Sequence, residues 1–489
     1  MFIFVSLNLF SQTENVVIPE IEVNAVNLNE KNTTIDSLKK EYEEKIKSLN
    51  EKIIVIEEKI APKKEEPKKE EKIAKKEYKP VSTIFDRIRS FFGIFLLLGI
   101  TVLLSFNKKE ILKYSKRAII GGLSIQFVFA VFVMKVPYVS TIFKAIGDGV
   151  NKLLEFTHEG SKFVFGDLFN QWSFALKVLP VIIFFSAFMG ILYHLGIMQF
   201  VVKFIAKGMA KALNTSGAES LSATANIFVG QTEAPLVVKP FIKNMTNSEI
   251  TAIMIGGFAT VAGGVLAAYI GMGVDATALI AASVMAAPGS LVVAKIIYPE
   301  NQIPVTRGVV EMDNKNRETA NVIDAAARGA GDGLSLALNV AAMLIAFIAI
   351  IYGINYGLKE ISSLFMEKPL SLEMIFGYFF SPIAYMMGVE WKDALYIGQL
   401  LGEKIVINEF YAYSDLANNV THVISDRSNV IAAFALVGFA NFSSIAIQIG
   451  GIGAMAPERK SDLAKIGLRA MLGGTIVALI NGSIAGLLM

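Results

Sequence analysis

The feature that most constrains this chain is a series of long, nearly uncharged apolar runs beyond Phe85, separated by short segments that hold most of the charge. A helix rises about 1.5 Å per residue, so roughly 17 to 25 apolar residues cross the hydrocarbon of a bilayer. Eight stretches meet that need, near residues 90–107, 118–134, 178–202, 250–274, 276–294, 333–358, 428–457 and 470–489. With 53% hydrophobic and only 18% charged residues among 489, the bilayer is the solvent this composition suits. The expected fold class is therefore an all-α integral membrane protein with eight transmembrane helices.

Two further apolar stretches are too short or too interrupted to cross. They are 221–243 around Glu233 and 391–415 around Glu403, Lys404 and Glu409. Irregular backbone at membrane depth survives only when buried in protein or lining a wet cavity, so both read as re-entrant helical hairpins. Segments 139–155 and 374–389 read as interfacial helices.

Lys and Arg concentrate in the cytoplasmic loops of membrane proteins. The loops after the first, fifth and seventh spans carry Lys108, Lys109, Lys113, Lys116 and Arg117, then Lys295, Arg307, Lys315, Arg317 and Arg328, then Arg459, Lys460, Lys465 and Arg469. The loop GMGVDAT after the fourth span and the C-terminus have none. Both chain ends are expected outside the cytoplasm, in a cell (inner) membrane protein; the Lys-containing loop after the second span fits less well.

The N-terminal part has a different character. Residues 1–12 are a short apolar run, either the remnant of a signal segment lacking its positive start or simply an apolar terminus. A tail at 13–34 leads to 35–60, where Ile35, Tyr42, Leu49 and Ile56 recur every seven residues beside Ile46, Ile53 and Ile60, with Lys39 interrupting the second row. That spacing predicts a coiled coil, and Ile in both rows favours three strands. Residues 61–84 form a charged linker rich in Lys and Glu. The membrane part divides into scaffold helices at 85–172, a first transport repeat at 173–300 and a second at 301–489.

Several chemistries are excluded early. A net charge of +3, much of it balanced by Glu in the tail, suggests no nucleic-acid partner. There is no Cys, hence no disulfide, thiolate nucleophile or Cys-ligated metal. His158, His194 and His422 have no metal-site spacing, and no nucleophile stands at working distance from a base, so an enzyme is not expected.

Two polar signatures recur in order. GQTEAP at Gly230–Pro235 is followed by GFAT at Gly257–Thr260, and NEFYAY at Asn408–Tyr413 is followed by GFAN at Gly438–Asn441. Each pair sets a Glu about 25 to 30 residues ahead of a GFA. Three crossings separate the hairpins, an odd number, so the halves are inverted. Inverted repeats with interrupted helices that meet near the midplane are the architecture of secondary transporters. An acidic side chain at that depth costs roughly 2.5 to 3.5 kcal/mol, which points Glu233 and Glu409 toward a binding cavity.

GQTEAP, NEFYAY and GFANFSSIAIQIGG resemble the concentrative nucleoside transporters over about residues 90–489. The resemblance implies a homotrimer whose protomers carry eight spans, two re-entrant hairpins and interfacial helices, and which imports nucleosides on a sodium or proton gradient. It places the base against Gln231, Thr232, Glu233 and Val265. The ribose falls against Glu409, Asn441 and Ser444, with Phe439 as an apolar wall. It places a co-transported sodium ion at Asn226, Val229, Thr260 and Val261, the valines through their carbonyls. No organic cofactor is implied. A proton on Glu233 or Glu409 is the alternative coupling ion, and a channel or symporter for another polar solute is the alternative class.

Overall fold

The computed structural model describes residues 83–170, 174–309, 319–367, 369–418 and 424–489. Its contacts divide the chain at Glu77 and Tyr78, and the elements below all belong to the second unit. The coiled coil expected at 35–60 and the segments around it at 1–12, 13–34 and 61–82 lie outside the described residues.

Among the described residues six helices are long and apolar enough to cross a membrane: Lys116–Lys135, Ala175–His194, Asn247–Gly271, Ala276–Ile297, Val322–Ser362 and Pro457–Leu488. The other two expected spans are helical too, but each departs from a plain apolar rod. The first begins early, as α1 (Ile84–Leu103), with a Thr83/Asp86 capping box, so its opening turns carry Asp86, Arg87 and Arg89. The seventh is divided into α2 (Asp426–Ala435) and α3 (Phe442–Met455) by a short non-helical stretch.

Two other expected boundaries shift. The run at 178–202 contains a helix that stops at His194, because Gly196 adopts φ +81° and redirects the chain. The helix that follows, Ile197–Leu213, is amphipathic: Met198, Val202, Ala206, Met209 and Leu213 are buried while Phe200 and Phe204 are exposed. The run at 374–389 forms α4 (Leu372–Met386), which turns by 120° into α5 (Trp391–Val406). Gly377 and Gly398 let those two backbones approach closely, and Gly402 makes room for the Phe376 side chain.

Burial separates a core from a rim. The windows of Asn247–Gly271, Ala276–Ile297 and Pro457–Leu488 are 89%, 89% and 83% buried, against 28%, 22% and 17% for Lys116–Lys135, Ala175–His194 and Val322–Ser362. A helix apolar on all sides belongs either inside the protein or against lipid. The first three are enclosed by protein, whereas the last three present most of their apolar surface outward.

The core is held by charge as well as packing. Lys295 lies inside helix Ala276–Ile297, 2.7 Å from Glu219 and 3.3 Å from Glu300, and it donates to Ser248 Oγ at 2.8 Å. Arg459 donates to Met245 O at 2.5 Å and to Asn247 Oδ1 at 2.8 Å. Both side chains are buried, so two of the charges counted with the loops when orienting the chain are structural ties between helices. Arg427 ties α2 to Gly388 O at 2.8 Å and to Gly486 O at 2.7 Å.

The core helix Asn247–Gly271 is itself interrupted. Its first half, α6 (Asn247–Ala259), ends in extended backbone at Thr260, and its second, α7 (Gly263–Gly271), starts after Ala262. The α6/α7 break and the α2/α3 break touch: Phe439 N donates to Thr260 O at 3.3 Å. Gly438, at φ +106°, lies against the Phe258 and Ala259 backbone, where a Cβ would collide with Phe258 O. Both GFA strings thus fall where the two broken helices cross.

Candidate functional site

Four segments converge on this crossing. From the first polar stretch, α8 (Gly217–Ala225) ends at Asn226, and loop Ile227–Glu233 carries GQTE before the short turn Ala234–Val238. From the second, α5 ends at Val406, and α9 (Glu409–Asn418) restarts at once. The second halves of the two broken helices, α7 and α3, complete the set.

Glu409 is 3% exposed. One carboxylate oxygen accepts from Tyr269 OH at 2.9 Å and the other from Asn441 Nδ2 at 3.3 Å. Asn441 caps α3, its Oδ1 accepting from Ser444 N at 2.9 Å and from Ser443 Oγ at 2.7 Å. Ser444 Oγ in turn accepts from Gln231 Nε2 at 3.0 Å, and Gln231 Oε1 accepts from Gln448 Nε2 at 3.0 Å. A continuous polar line therefore runs from Gln448 through Gln231, Ser444 and Asn441 to Glu409 and Tyr269, and it joins the two motif-bearing stretches.

The remaining candidates sit around this line. Val265 is buried one helical turn before Tyr269 on α7, and Phe439 is half-buried in the α2/α3 break. The Thr232 methyl faces Gly451 of α3. Glu233 is exposed, unlike Glu409, and its carboxylate fills the space a side chain at Gly230 would take. The two glutamates that match in the repeat are thus not equivalent: one is enclosed and bonded, the other open.

A second oxygen-rich locus lies where α8 ends against α6. Asn226 is fully buried and spends its Nδ2 on Ser222 O at 3.0 Å. Its Oδ1 and the nearby Ser222 Oγ are buried with no hydrogen-bond partner among the described residues. Thr260 Oγ1 gives its proton to Gly256 O at 2.8 Å, which leaves its lone pairs available. Gly256 is close to both Asn226 and Ser290 because it has no side chain. Val261 is buried in the same break, and Val229 lies in the loop after Asn226. Uncompensated oxygens in a buried place are costly, and a hard cation of low charge density is what such oxygens coordinate.

Tyr269, Gln448 and Ser222 belong to these groups without having been singled out from the sequence. Two signals pointed to them: Ser222 precedes Asn226 by four residues on one helix face, and Gln448 lies within GFANFSSIAIQIGG.

The sequence matches the family description "Na+ dependent nucleoside transporter C-terminus" over residues 278–486, the corresponding N-terminus over 92–168, and "Gate: Nucleoside recognition" over 175–276. It is 47% identical over 410 residues to an uncharacterized transporter of Haemophilus influenzae, covering 82% of this chain and 97% of that protein. The chain belongs to the concentrative nucleoside transporter family. It is also 40% identical to sodium/nucleoside cotransporter 1 of Mus musculus, covering 82% of this chain and 64% of the mouse protein. Among solved structures, the transporter CNTnw in an inward-facing substrate-bound state is similar at a TM-score of 0.77 and 41% identity, over 82% of this chain and 98% of that one. A double variant of CNTnw in an outward-facing state is similar at 0.79, over 83% and 98%. The crossing of broken helices therefore lies within a multi-pass membrane transporter.

Proposed function

We propose that this chain imports nucleosides by symport with sodium, through a site built on the polar line that joins Gln231 to Glu409. That line is the observation that carries the reading. A nucleoside presents donors and acceptors on the base edge and two vicinal hydroxyls on the ribose, so it needs amides at one end and a carboxylate acceptor at the other. Gln231, with Thr232, Glu233 and Val265, takes the base; Glu409, Asn441 and Ser444 take the ribose, with Phe439 as the apolar wall. Gln231, Glu409, Asn441 and Ser444 each exchange a protein partner for a substrate one, which limits the cost of opening the site.

Sodium goes to Asn226, Thr260 and the Val229 and Val261 carbonyls, and the partnerless Asn226 Oδ1 favours it over a coupling proton. The mouse relative's name as a sodium/nucleoside cotransporter supports the same ion. The eight helical regions are read as eight spans, with α8 and its loop as one re-entrant hairpin and α5 with α9 as the other. These stand as inverted repeats within 173–300 and 301–489, after a scaffold at 85–172. The assembly is a homotrimer in the cell membrane with both termini outside the cytoplasm.

Uptake of labelled uridine and adenosine into proteoliposomes, with the sodium and pH gradients varied separately, tests this reading. Accumulation must follow the inward sodium gradient. Accumulation that follows the proton gradient alone would overturn sodium coupling, and failure of nucleosides to compete would overturn the substrate.

A further inference from the structure

Lys404 is a fully buried cation that the transport reading leaves unused. It stands on α5, five residues before Glu409, and its ammonium donates to Ala435 O at 3.1 Å and to Val437 O at 2.7 Å. Ala435 is the last residue of α2, and Val437 lies in the α2/α3 break. Tyr413 OH takes the neighbouring Ala433 O at 2.7 Å. The negative end of a broken helix is thus met by the Lys404 ammonium.

The first half is built differently. The C-terminal end of α6 is met by the hydroxyl of Thr260 on Gly256 O, and no Lys or Arg hydrogen-bonds to residues 256–262 among the described residues. In place of an ammonium stand the buried, partnerless oxygens of Asn226 and Ser222. One break carries its cation covalently; the other offers oxygens to a cation from solution.

We propose that Lys404 is a tethered cation, doing for the second break what co-transported sodium does for the first, so that one sodium ion accompanies each nucleoside. It is a positioning residue: it holds the carbonyls of the α2/α3 break and, through them, Asn441 and Glu409. The inference rests on the sodium-nucleoside reading above, and its test scores the ratio of ions to substrate, a quantity defined only once sodium-driven uptake has been seen.

Charge and labelled uridine entering proteoliposomes are measured together, for the natural chain, Lys404→Met and Lys404→Arg. The natural chain is expected to move one charge per uridine with a sodium Hill coefficient of about 1. Lys404→Met, which keeps the length and removes the charge, is expected to need about tenfold more sodium, with a Hill coefficient approaching about 2 as a second ion fills the break. Lys404→Arg is expected to retain the ratio of the natural chain. Two charges per uridine in the natural chain would overturn the proposal even if Lys404→Met fails to fold. A folded Lys404→Met whose sodium dependence is unchanged would overturn it as well, whatever its rate.

Discussion

Glu409 is the residue on which the site depends most. It is buried and accepts from Tyr269 and Asn441, hydrogen bonds that ribose hydroxyls would replace in the proposed site. Glu409→Gln keeps the shape but leaves only one accepting atom, and a hydrogen bond to a charged group is worth about 1.5 to 3 kcal/mol. Uridine kcat/KM in proteoliposomes is expected to fall about ten- to a hundredfold, while the purified protein unfolds at nearly the natural temperature; normal transport by a folded variant would remove Glu409 from the site. Thr260 separates ion from substrate. Thr260→Ala deletes one hard oxygen, so half-saturating sodium is expected to rise about five- to tenfold, for a loss near 1 kcal/mol. Uptake at saturating sodium should stay within about twofold, and an unchanged sodium curve would place the ion elsewhere. Glu233 and Glu409 stood out in the sequence because each is a charge in a polar string where lipid tolerates few, whereas Gln231, Asn441 and Ser444 entered only through the resemblance carried by GQTEAP and GFANFSSIAIQIGG. Tyr269 was legible in neither way, since an aromatic in an apolar run points to no function until the fold shows what it faces, and Lys404 was visible only as a charge interrupting the second stretch.

At the scale of elements the decisive structure is the contact between two helix breaks. Hydropathy sees residues 250–274 and 428–457 as continuous spans, because Val261 and the residues at 436–440 are as apolar as their helical neighbours and the single hydroxyl of Thr260 hardly lowers the average. No Pro marks either break; α6 ends against extended Thr260, and the second opening depends on Gly438 at positive φ against the first helix. The glycine in the second GFA string was visible, but its reason is tertiary. Gly438→Ala puts a Cβ into the Phe258 carbonyl and forces a left-handed backbone on an L-residue, at a cost of about 1 to 3 kcal/mol. Thermal unfolding of the purified variant is expected to shift downward, with sodium and uridine affinities both weakened, since Thr260 and Phe439 flank the contact. An effect on one ligand only would mean that the two breaks act independently. The kinked pair α4 and α5 turns by 120° where Gly388 adopts φ +104° between them, a glycine whose role shows only once the two arms are seen packed together.

For the whole molecule, the contrast between enclosed and outward-facing helices shows which apolar surfaces the chain leaves uncovered. Helix Val322–Ser362 has 41 residues, about 60 Å at 1.5 Å per residue, twice the hydrocarbon thickness of about 30 Å. It is expected to cross at a steep tilt or extend beyond the membrane, and its exposed Leu338, Ile345 and Tyr352 are available to lipid or to neighbouring protomers. Hydropathy located its centre at 333–358, but its full length depends on caps such as Asn321, whose side chain accepts from Asp324 N. The N-terminal heptads bear on the same assembly. If the protomers associate as three, residues 35–60 are brought together by the linker at 61–84, and Ile at both seam rows then favours a parallel three-stranded coil. The chain has no Cys, so Ile53→Cys introduces a single thiol at a seam position. Only parallel strands in register bring position 53 against itself. Mild oxidation of intact trimers is expected to yield a disulfide-linked dimer band beside a monomer band, because a single bond can join only two of three thiols. The same thiol at Lys47, which falls off both seam rows of the heptad, is expected to cross-link far less. Equal yields at the two positions, or none at Ile53→Cys in trimers shown to be intact, would mean that the tails do not coil together.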